Sequence, residues 1–168
     1  MRSRPLREVS PMTSTIDIRE TGADGVDEMM LTMSQAFDPA FGEAWTAPQS
    51  LTMLALPGVW LSLARCDGEP AGFALCRIVA DEAELLLLAV AAPFRRKGVA
   101  SALIERSRSI ARERKAFRIF LEVRHGNPAM QLYQSCGFTV IGCRTGYYRG
   151  LDNRLHDAMT LSSLLDQG

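Results

Sequence analysis

The stretch that decides the fold of this chain is Glu84-Leu-Leu-Leu-Leu-Ala-Val-Ala-Ala-Pro93-Phe-Arg-Arg-Lys-Gly98-Val-Ala-Ser-Ala-Leu103. Its near-continuous apolar run, residues 85–92, predicts a central strand that is buried on both faces. Pro93 ends that strand, because proline has no N–H group for a sheet ladder. A basic turn follows, and apolar residues then recur at helical spacing, which predicts a helix over 99–115.

This junction of strand, glycine loop and helix predicts a binding site for phosphates. Gly98 lets the backbone approach a ligand, the first-turn N–H groups lack helical partners, and the helix dipole favours negative charge. The loop matches neither the Gly-x-x-x-x-Gly-Lys-Ser/Thr pattern nor the Gly-x-Gly-x-x-Gly pattern of other nucleotide-binding proteins. The alternative interpretation of Arg95, Arg96 and Lys97 is a solvated charged turn.

The length of the chain indicates a single domain, and its balanced charge gives no general attraction to nucleic acids or anionic membranes. We expect a single domain over residues 15–168 of the 168-residue chain, after a disordered leader over 1–14 in which Met12 is an alternative natural start. The 19 basic and 19 acidic residues balance, which argues against nucleic-acid or membrane-surface binding. The longest apolar run, about ten residues, is shorter than the roughly 20 of a membrane helix. We therefore expect a cytoplasmic protein, either monomeric or homodimeric.

The four cysteines, Cys66, Cys76, Cys136 and Cys143, have apolar neighbours and no Cys-x-x-Cys spacing. We interpret them as reduced, buried thiols, and we expect no metal site.

The rest of the chain predicts alternating strands and helices around this junction. Asp24, Thr46 and Asn127 are predicted to begin helices, and Asp67-Gly68 is predicted to be a hairpin turn. The predicted strands are 15–19, 59–65, 71–79, 85–92, 117–123, 138–144 and 155–161. The order β-α-α-β-β-β-α-β-α-β-β predicts an α/β fold of three layers, with a mixed sheet of seven strands. A helix separates the fourth and fifth strands, so they should form a parallel, right-handed crossover.

Two motifs resemble a known family. Arg95-x-x-Gly98-x-Ala100 resembles the Arg/Gln-x-x-Gly-x-Gly/Ala signature of the GCN5-related N-acetyltransferases (GNAT), and Asn127-Pro-Ala-Met-Gln-Leu-Tyr133-Gln-Ser-Cys-Gly137-Phe138 resembles their second conserved block. The resemblance implies acetyl-coenzyme A as co-substrate, bound where the fourth and fifth strands part. The implied cofactor-binding residues are Leu88, Ala89, Val90, Arg95, Arg96, Lys97, Gly98, Val99, Ala100, Asn127 and Tyr133. Asn127 and Tyr133 are six positions apart, whereas the commonest family pattern has seven.

The candidate general base is Glu122, because a carboxylate on an otherwise apolar strand is costly without a partner or a function. The alternative is an ion pair with Arg118 or Arg124. The segment 121–124 with Tyr133 resembles the ribosomal-protein-alanine N-acetyltransferases, which implies that Glu122 deprotonates the amine and that Tyr133 protonates the leaving thiolate. Glu84 is an alternative base, and His125 is a third candidate.

Aromatic residues are predicted to line the acceptor groove. The resemblance places Phe41 and Trp45 beside this groove, and it gives the same place to the pair Tyr147 and Tyr148; ordinary packing is the alternative for all four. The implied acceptor is a protein N-terminus, the alanine of a ribosomal protein. Two alternatives stay open: an acetyltransferase for a small-molecule amine, and a non-catalytic binder of acyl-coenzyme A.

Overall fold

The computed structural model describes residues 14–166, so the predictions for Met12 and for nearly all of the leader concern residues outside this range. Within it the chain forms seven strands and four α-helices. The strands are β1 (Ile16–Thr21), β2 (Val59–Cys66), β3 (Glu69–Val79), β4 (Glu82–Val90), β5 (Arg118–Arg124), β6 (Thr139–Arg149) and β7 (Leu155–Leu164). The helices are α1 (Val26–Ala36), α2 (Ala47–Leu54), α3 (Val99–Glu113) and α4 (Ala129–Ser135).

The strands form one mixed sheet in the order β1-β2-β3-β4-β5-β7-β6. Strands β4 and β5 run parallel and are joined through α3, while the other neighbouring strands are antiparallel. This arrangement confirms the predicted α/β fold, its order of elements and the crossover around α3.

The helices cover the two faces of the sheet and bury two apolar cores. On one face, Leu103 and Ile110 of α3 pack with Ile119 of β5 and with the buried Tyr133 of α4. On the other face, a methionine stripe of α1 packs against β2 and β3, and Met53 and Leu54 of α2 cover its border. The sheet is therefore the middle of three layers, as predicted.

Short polar signals set several of the turns between elements. Asp67 and Gly68 both have positive φ, 53° and 87°, as a tight hairpin turn requires, which confirms the predicted hairpin. Thr46 caps α2, as predicted, and it does so in a capping box with Gln49. The prediction for Asp24 is wrong. Its carboxylate accepts hydrogen bonds from the Thr21 hydroxyl and the Gly22 N–H, so it closes the turn before α1, whose N-cap is Gly25.

The cysteines differ in exposure more than the sequence predicts. Cys66 and Cys76 are buried and Cys136 is partly buried, but Cys143 is exposed. The prediction of a buried thiol is therefore wrong for Cys143, because this residue lies on β6, an edge strand whose side chains are mostly in contact with solvent.

Among residues 14–166, the helices are too short or too polar to cross a bilayer. The same part of the chain contains no group of three or more His, Cys, Asp or Glu side chains arranged to hold a metal ion.

Candidate active site

The site begins where β4 and β5 part. Their pairing ends with Glu84 opposite Phe120, after only three residue pairs. Beyond that point a cavity of about 1050 Å³ is lined by β4 on one side and by β5 on the other. The backbone groups that β4 turns toward β5 over residues 86–90 are therefore available to a ligand, except the Val90 carbonyl, which accepts a hydrogen bond from Arg95.

A bulge in β4 shapes the wall of this cavity. Leu85 pairs with Cys76 and Leu87 with Leu75, so Leu86 is the extra residue. Both Leu86 and Leu87 face the α1 side, and Leu88 faces the α3 side. The prediction that residues 85–92 are buried on both faces is wrong, since exposure alternates along β4 and its partly exposed residues line the cavity.

The loop before α3 has the geometry of an anion site. Gly98 has φ +84° and is the N-cap residue of α3, and a Cβ atom added to it would meet nothing within 4 Å. Val99, Ala100 and Ser101 line the cavity, and their N–H groups precede the first helical hydrogen bond, from Ala102 to Gly98. The first turn carries no acidic residue. The residues present therefore fit a phosphate group, and Ser101 is a lining residue that the sequence analysis missed.

The three basic residues of this loop have different surroundings. Arg96 is exposed and lines the cavity, with φ 64°. Lys97 is not among the lining residues; its ammonium lies 5.5 Å from the centroid of the Phe94 ring. Arg95 lines the cavity, but its guanidinium donates hydrogen bonds to the carbonyl oxygens of Ala36 and Val90. Of the three, Arg96 is the residue best placed to meet an anion.

Two predicted residues of the second motif also line the cavity. The Asn127 side chain accepts a hydrogen bond from the Ala129 N–H at 2.9 Å, which fixes the start of α4 one turn before Tyr133. Tyr133 is buried, and its ring meets that of Phe138 edge to face. Burial raises the pKa of Tyr133 above its ordinary value of 10, and the neighbouring Tyr148 adds to this. Its hydroxyl therefore keeps its proton at neutral pH.

Glu122 lies on the opposite face of the sheet from Tyr133. Leu121 and Val123 point into the α3 core, so Glu122 between them points to the α1 side and lines the cavity. Its carboxylate accepts a hydrogen bond from Nη1 of Arg144 at 2.8 Å. The alternative pairings predicted for Glu122 are wrong: Arg118 pairs with Glu82, and Arg124 pairs with Glu43.

The alternative bases are placed differently from each other. Glu84 lines the same cavity, on the same face as Glu122, and its carboxylate lies 2.6 Å from Nη2 of Arg77. His125 is exposed and is not a lining residue, so the structure gives this candidate no support. The two glutamates thus remain the candidates that face the cavity.

Aromatic residues line the α1 side of the cavity. The four that were predicted from the sequence are all among the lining residues: Phe41, Trp45, Tyr147 and Tyr148. The Arg124 guanidinium lies 3.6 Å from the centroid of the Phe41 ring. Tyr148 donates a long hydrogen bond to the Glu122 backbone carbonyl, and burial raises its pKa to about 12.

Two residues that contact this wall, Glu43 and Arg144, were not predicted from the sequence. Glu43 pairs with the Nε of Arg124 at 3.1 Å, with both side chains largely buried, and Arg144 reaches Glu122 from β6. Glu43 and Arg144 are both distant in sequence from the residues with which they pair. Glu43 is an ordinary polar residue of a loop, and Arg144 is an exposed arginine of an edge strand, as Arg149 is, so neither carries a local signal.

Comparison with known proteins identifies the family. The model of the Acetyltransferase (GNAT) family matches residues 30–138. The [ribosomal protein bS18]-alanine N-acetyltransferase of Escherichia coli K12 is 36% identical over 97 residues, which are 57% of this chain and 65% of that protein. The putative enzyme of the same name from Bacillus subtilis is 34% identical over 83 residues, 49% of this chain and 55% of that protein. The aligned region thus spans less than two thirds of these relatives.

Solved structures with the same fold cover nearly the whole chain. The crystal structure of the ribosomal-protein-S18-alanine N-acetyltransferase from Escherichia coli superposes with a TM-score of 0.80 at 26% identity, covering 92% of this chain and 96% of that one. The structure of Ard1 from Thermoplasma volcanium gives a TM-score of 0.75 at 25% identity, covering 90% and 98%. These likenesses and the family match agree with the resemblance predicted from the two sequence motifs.

Proposed function

Because this chain belongs to the GNAT family of acetyltransferases, we propose that it transfers the acetyl group of acetyl-coenzyme A to a primary amine. The observation that carries the proposal is the cavity between β4 and β5, which has Glu122 on the α1 side of the sheet and Tyr133 on the α3 side. Such a cavity lets two reactants enter from opposite faces and meet between the strands.

The proposed cofactor half is the α3 side. The N–H groups of Val99, Ala100 and Ser101 would hold the pyrophosphate, with Arg96 as the nearby cation. The backbone groups of residues 88–90 that β5 leaves unpaired, other than the Val90 carbonyl that Arg95 occupies, would bind the pantetheine arm and stabilise the oxyanion. Acetyl-coenzyme A supplies the acetyl group as a thioester, whose acyl carbon gains a C–N bond to the acceptor and loses its C–S bond.

The proposed proton transfers use one residue from each face. Glu122 would take a proton from the acceptor ammonium and pass it to water, which leaves the nitrogen lone pair free to attack. Tyr133 would give its proton to the departing sulfur, and the second proton released by the nitrogen would restore the phenol. The raised pKa of Tyr133 supports this role, because an acid must still hold its proton at the working pH.

The proposed acceptor is a protein N-terminus, the alanine of a ribosomal protein. The names of the similar bS18-alanine N-acetyltransferases support this choice, and so does the aromatic lining formed by Phe41, Trp45, Tyr147 and Tyr148, which can contact several residues of a peptide. With such an acceptor the reaction would take place in the cytoplasm.

An assay of thiol release from acetyl-coenzyme A tests this function. Two peptides of one sequence should be compared, one with a free N-terminal alanine and an internal lysine, the other with a blocked N-terminus. We expect turnover only with the free alanine. Preference for the blocked peptide, or for amines in a small-molecule panel, would contradict the proposed acceptor. A rise in Tm with acetyl-coenzyme A, without turnover on any acceptor, would indicate a non-catalytic binder.

A further inference from the structure

A hydrogen-bonded bridge joins the two halves of the cavity through Arg95. Its Nη2 donates to the Ala36 carbonyl oxygen at 3.1 Å, and its Nε donates to the Val90 carbonyl oxygen at 3.3 Å. Val90 is the last residue of β4, and Ala36 is the last residue of α1. Although Arg95 precedes Gly98 by three positions, its described hydrogen bonds go to the protein backbone, on the acceptor side as well as the cofactor side.

The bond to Ala36 satisfies a need of helix α1. The last carbonyls of a helix lack intrahelical partners and carry the negative end of the helix dipole. The last turn of α1 contains no basic residue, and Phe37 directly after it is already extended, with φ −101° and ψ 133°. Arg95 therefore supplies both the donor and the positive charge that the sequence of α1 does not provide.

This contact lies where the acceptor wall begins. Phe37 and Asp38 follow Ala36 directly, and both line the cavity. The Asp38 carboxylate then accepts the Ala40 N–H and shapes the turn that presents Phe41. The position of the Ala36 carbonyl thus sets where this wall starts, and the position of Arg95 follows from the loop at Gly98.

We propose that Arg95 is a positioning residue, which couples the cofactor loop to the acceptor wall, and not a phosphate ligand. The inference rests on the proposed function for the identity of the two reactants. A ligand that orders the Gly98 loop also orders Arg95, and through it the end of α1, so the acceptor meets a wall that is already formed. The coupling is reciprocal, since each ligand strengthens the binding of the other by the same factor.

Replacing Arg95 by lysine distinguishes a positioning role from a simple electrostatic attraction to phosphate. Arg95 bonds two carbonyls through two different nitrogens, whereas lysine has one nitrogen on a flexible stem. Arg95→Lys therefore keeps the positive charge near the phosphate site and loses the bridge. Arg96→Asn is the matched contrast, because it removes a cavity-lining cation, and asparagine tolerates the positive φ of this position.

The test measures coenzyme A binding by calorimetry at two salt concentrations and the KM of the alanine peptide at saturating acetyl-coenzyme A. We expect Arg95→Lys to bind coenzyme A like the parent and to raise the peptide KM about tenfold, the loss of one charged hydrogen bond. Arg96→Asn should weaken coenzyme A binding in a salt-dependent way. A parental peptide KM in Arg95→Lys would overturn the proposal, and so would a loss of coenzyme A affinity in Arg95→Gln that lysine restores.

Hydrogen exchange separates this inference from the proposed function, because it needs no turnover. The Phe37 amide donates a long bond to the Met33 carbonyl at the end of α1, where fraying is easily seen. We expect coenzyme A to slow exchange at this amide in the parent and not in Arg95→Lys. If coenzyme A left exchange there unchanged in the parent, the coupling would be absent, whatever the acceptor.

Discussion

Glu122 and Arg144 form an ion pair that spans the strand between them, with the arginine Nη1 2.8 Å from the carboxylate. Glu122 lies on β5, Arg144 lies on β6, and β7 runs between them. The hydrogen bond raises the pKa of Arg144, whose guanidinium also lies 4.0 Å from the Tyr147 ring centroid. The edge strand thus orients the proposed base.

Replacing Arg144 tests this orientation. Arg144→Ala leaves the Glu122 carboxylate in place without its partner, so kcat should fall by about tenfold, less than on loss of the base itself. Arg149→Ala, at an exposed position on the same strand, is the control and should keep the parental rate. Initial rates at saturating substrates measure the effect. An unchanged kcat in Arg144→Ala would show that the pair has no role in the reaction.

The proposed phosphate site at Gly98 can be tested separately from the proton transfers. Gly98→Ala adds a Cβ atom in open space at a residue that lines the cavity, and it strains a position with φ +84°, so it should weaken coenzyme A binding and lower stability by about 1 to 2 kcal/mol. Gly68→Ala is the matched control, with φ +87° and equally open space, in a hairpin turn outside the cavity.

Calorimetry and urea unfolding measure the two effects separately. Both variants should lose similar stability, and only Gly98→Ala should lose coenzyme A affinity. Equal coenzyme A affinity in the two variants would place the phosphates elsewhere.

Tyr133 should keep its phenolic proton in the free enzyme near neutral pH, and it should donate this proton only to the departing thiolate. Burial raises its pKa above 10, so its proton is held throughout the range in which an ordinary tyrosine begins to ionise. Tyr133→Phe should lower kcat by about 10²-fold or more and leave coenzyme A affinity unchanged. The tyrosinate absorbance of the variant and the parent should coincide below pH 10. A tyrosinate step below pH 10 that disappears in Tyr133→Phe would contradict this environment.

Much of the fold could be predicted because its signals are local. The Asp67-Gly68 turn, the Thr46 cap and the glycine that begins α3 each depend on a few neighbouring residues. The exposure of β4 could not be predicted in this way. Its run of leucines is typical of a strand that is buried on both faces. However, β4 has a bulge at Leu86 and parts from β5, and both features depend on how the neighbouring strands pair with β4.

The site shows the same limit. Glu122 could be proposed because a carboxylate is unusual on an apolar strand, and Gly98 because a glycine loop before a helix favours anions. Their partners could not be identified. Arg144 and Glu43 meet the site only through the order of the sheet and the fold of a loop, while Arg95 bonds a carbonyl 59 positions away.

Acid stability should depend on an ion pair outside the site. Hydrogen bonds from Arg65, and to a lesser degree Arg19, lower the pKa of Glu28 below its ordinary value of 4.5. A lowered pKa gives stability that is present above pH 4.5 and is lost as pH falls through the folded-state value. Glu28→Gln should therefore show a smaller loss of unfolding free energy below pH 4.5 than the parent.

Urea unfolding at a series of pH values measures this difference. Glu113→Gln is the control, because Glu113 is mostly exposed and pairs at a longer distance, 3.6 Å. Parallel pH profiles for Glu28→Gln and the parent would rule out the contribution of this pair.

The proposed mechanism requires that Glu122, and not Glu84, is the base, and the kcat values of Glu122→Gln and Glu84→Gln distinguish the two. Both carboxylates line the cavity on the same face of the sheet, and each is paired with one arginine, so the two variants are closely matched. We predict that Glu122→Gln lowers kcat about 10²- to 10⁴-fold with coenzyme A affinity unchanged, while Glu84→Gln keeps most of the rate. Loss of activity in Glu84→Gln with the rate retained in Glu122→Gln would contradict this assignment and place the base on β4.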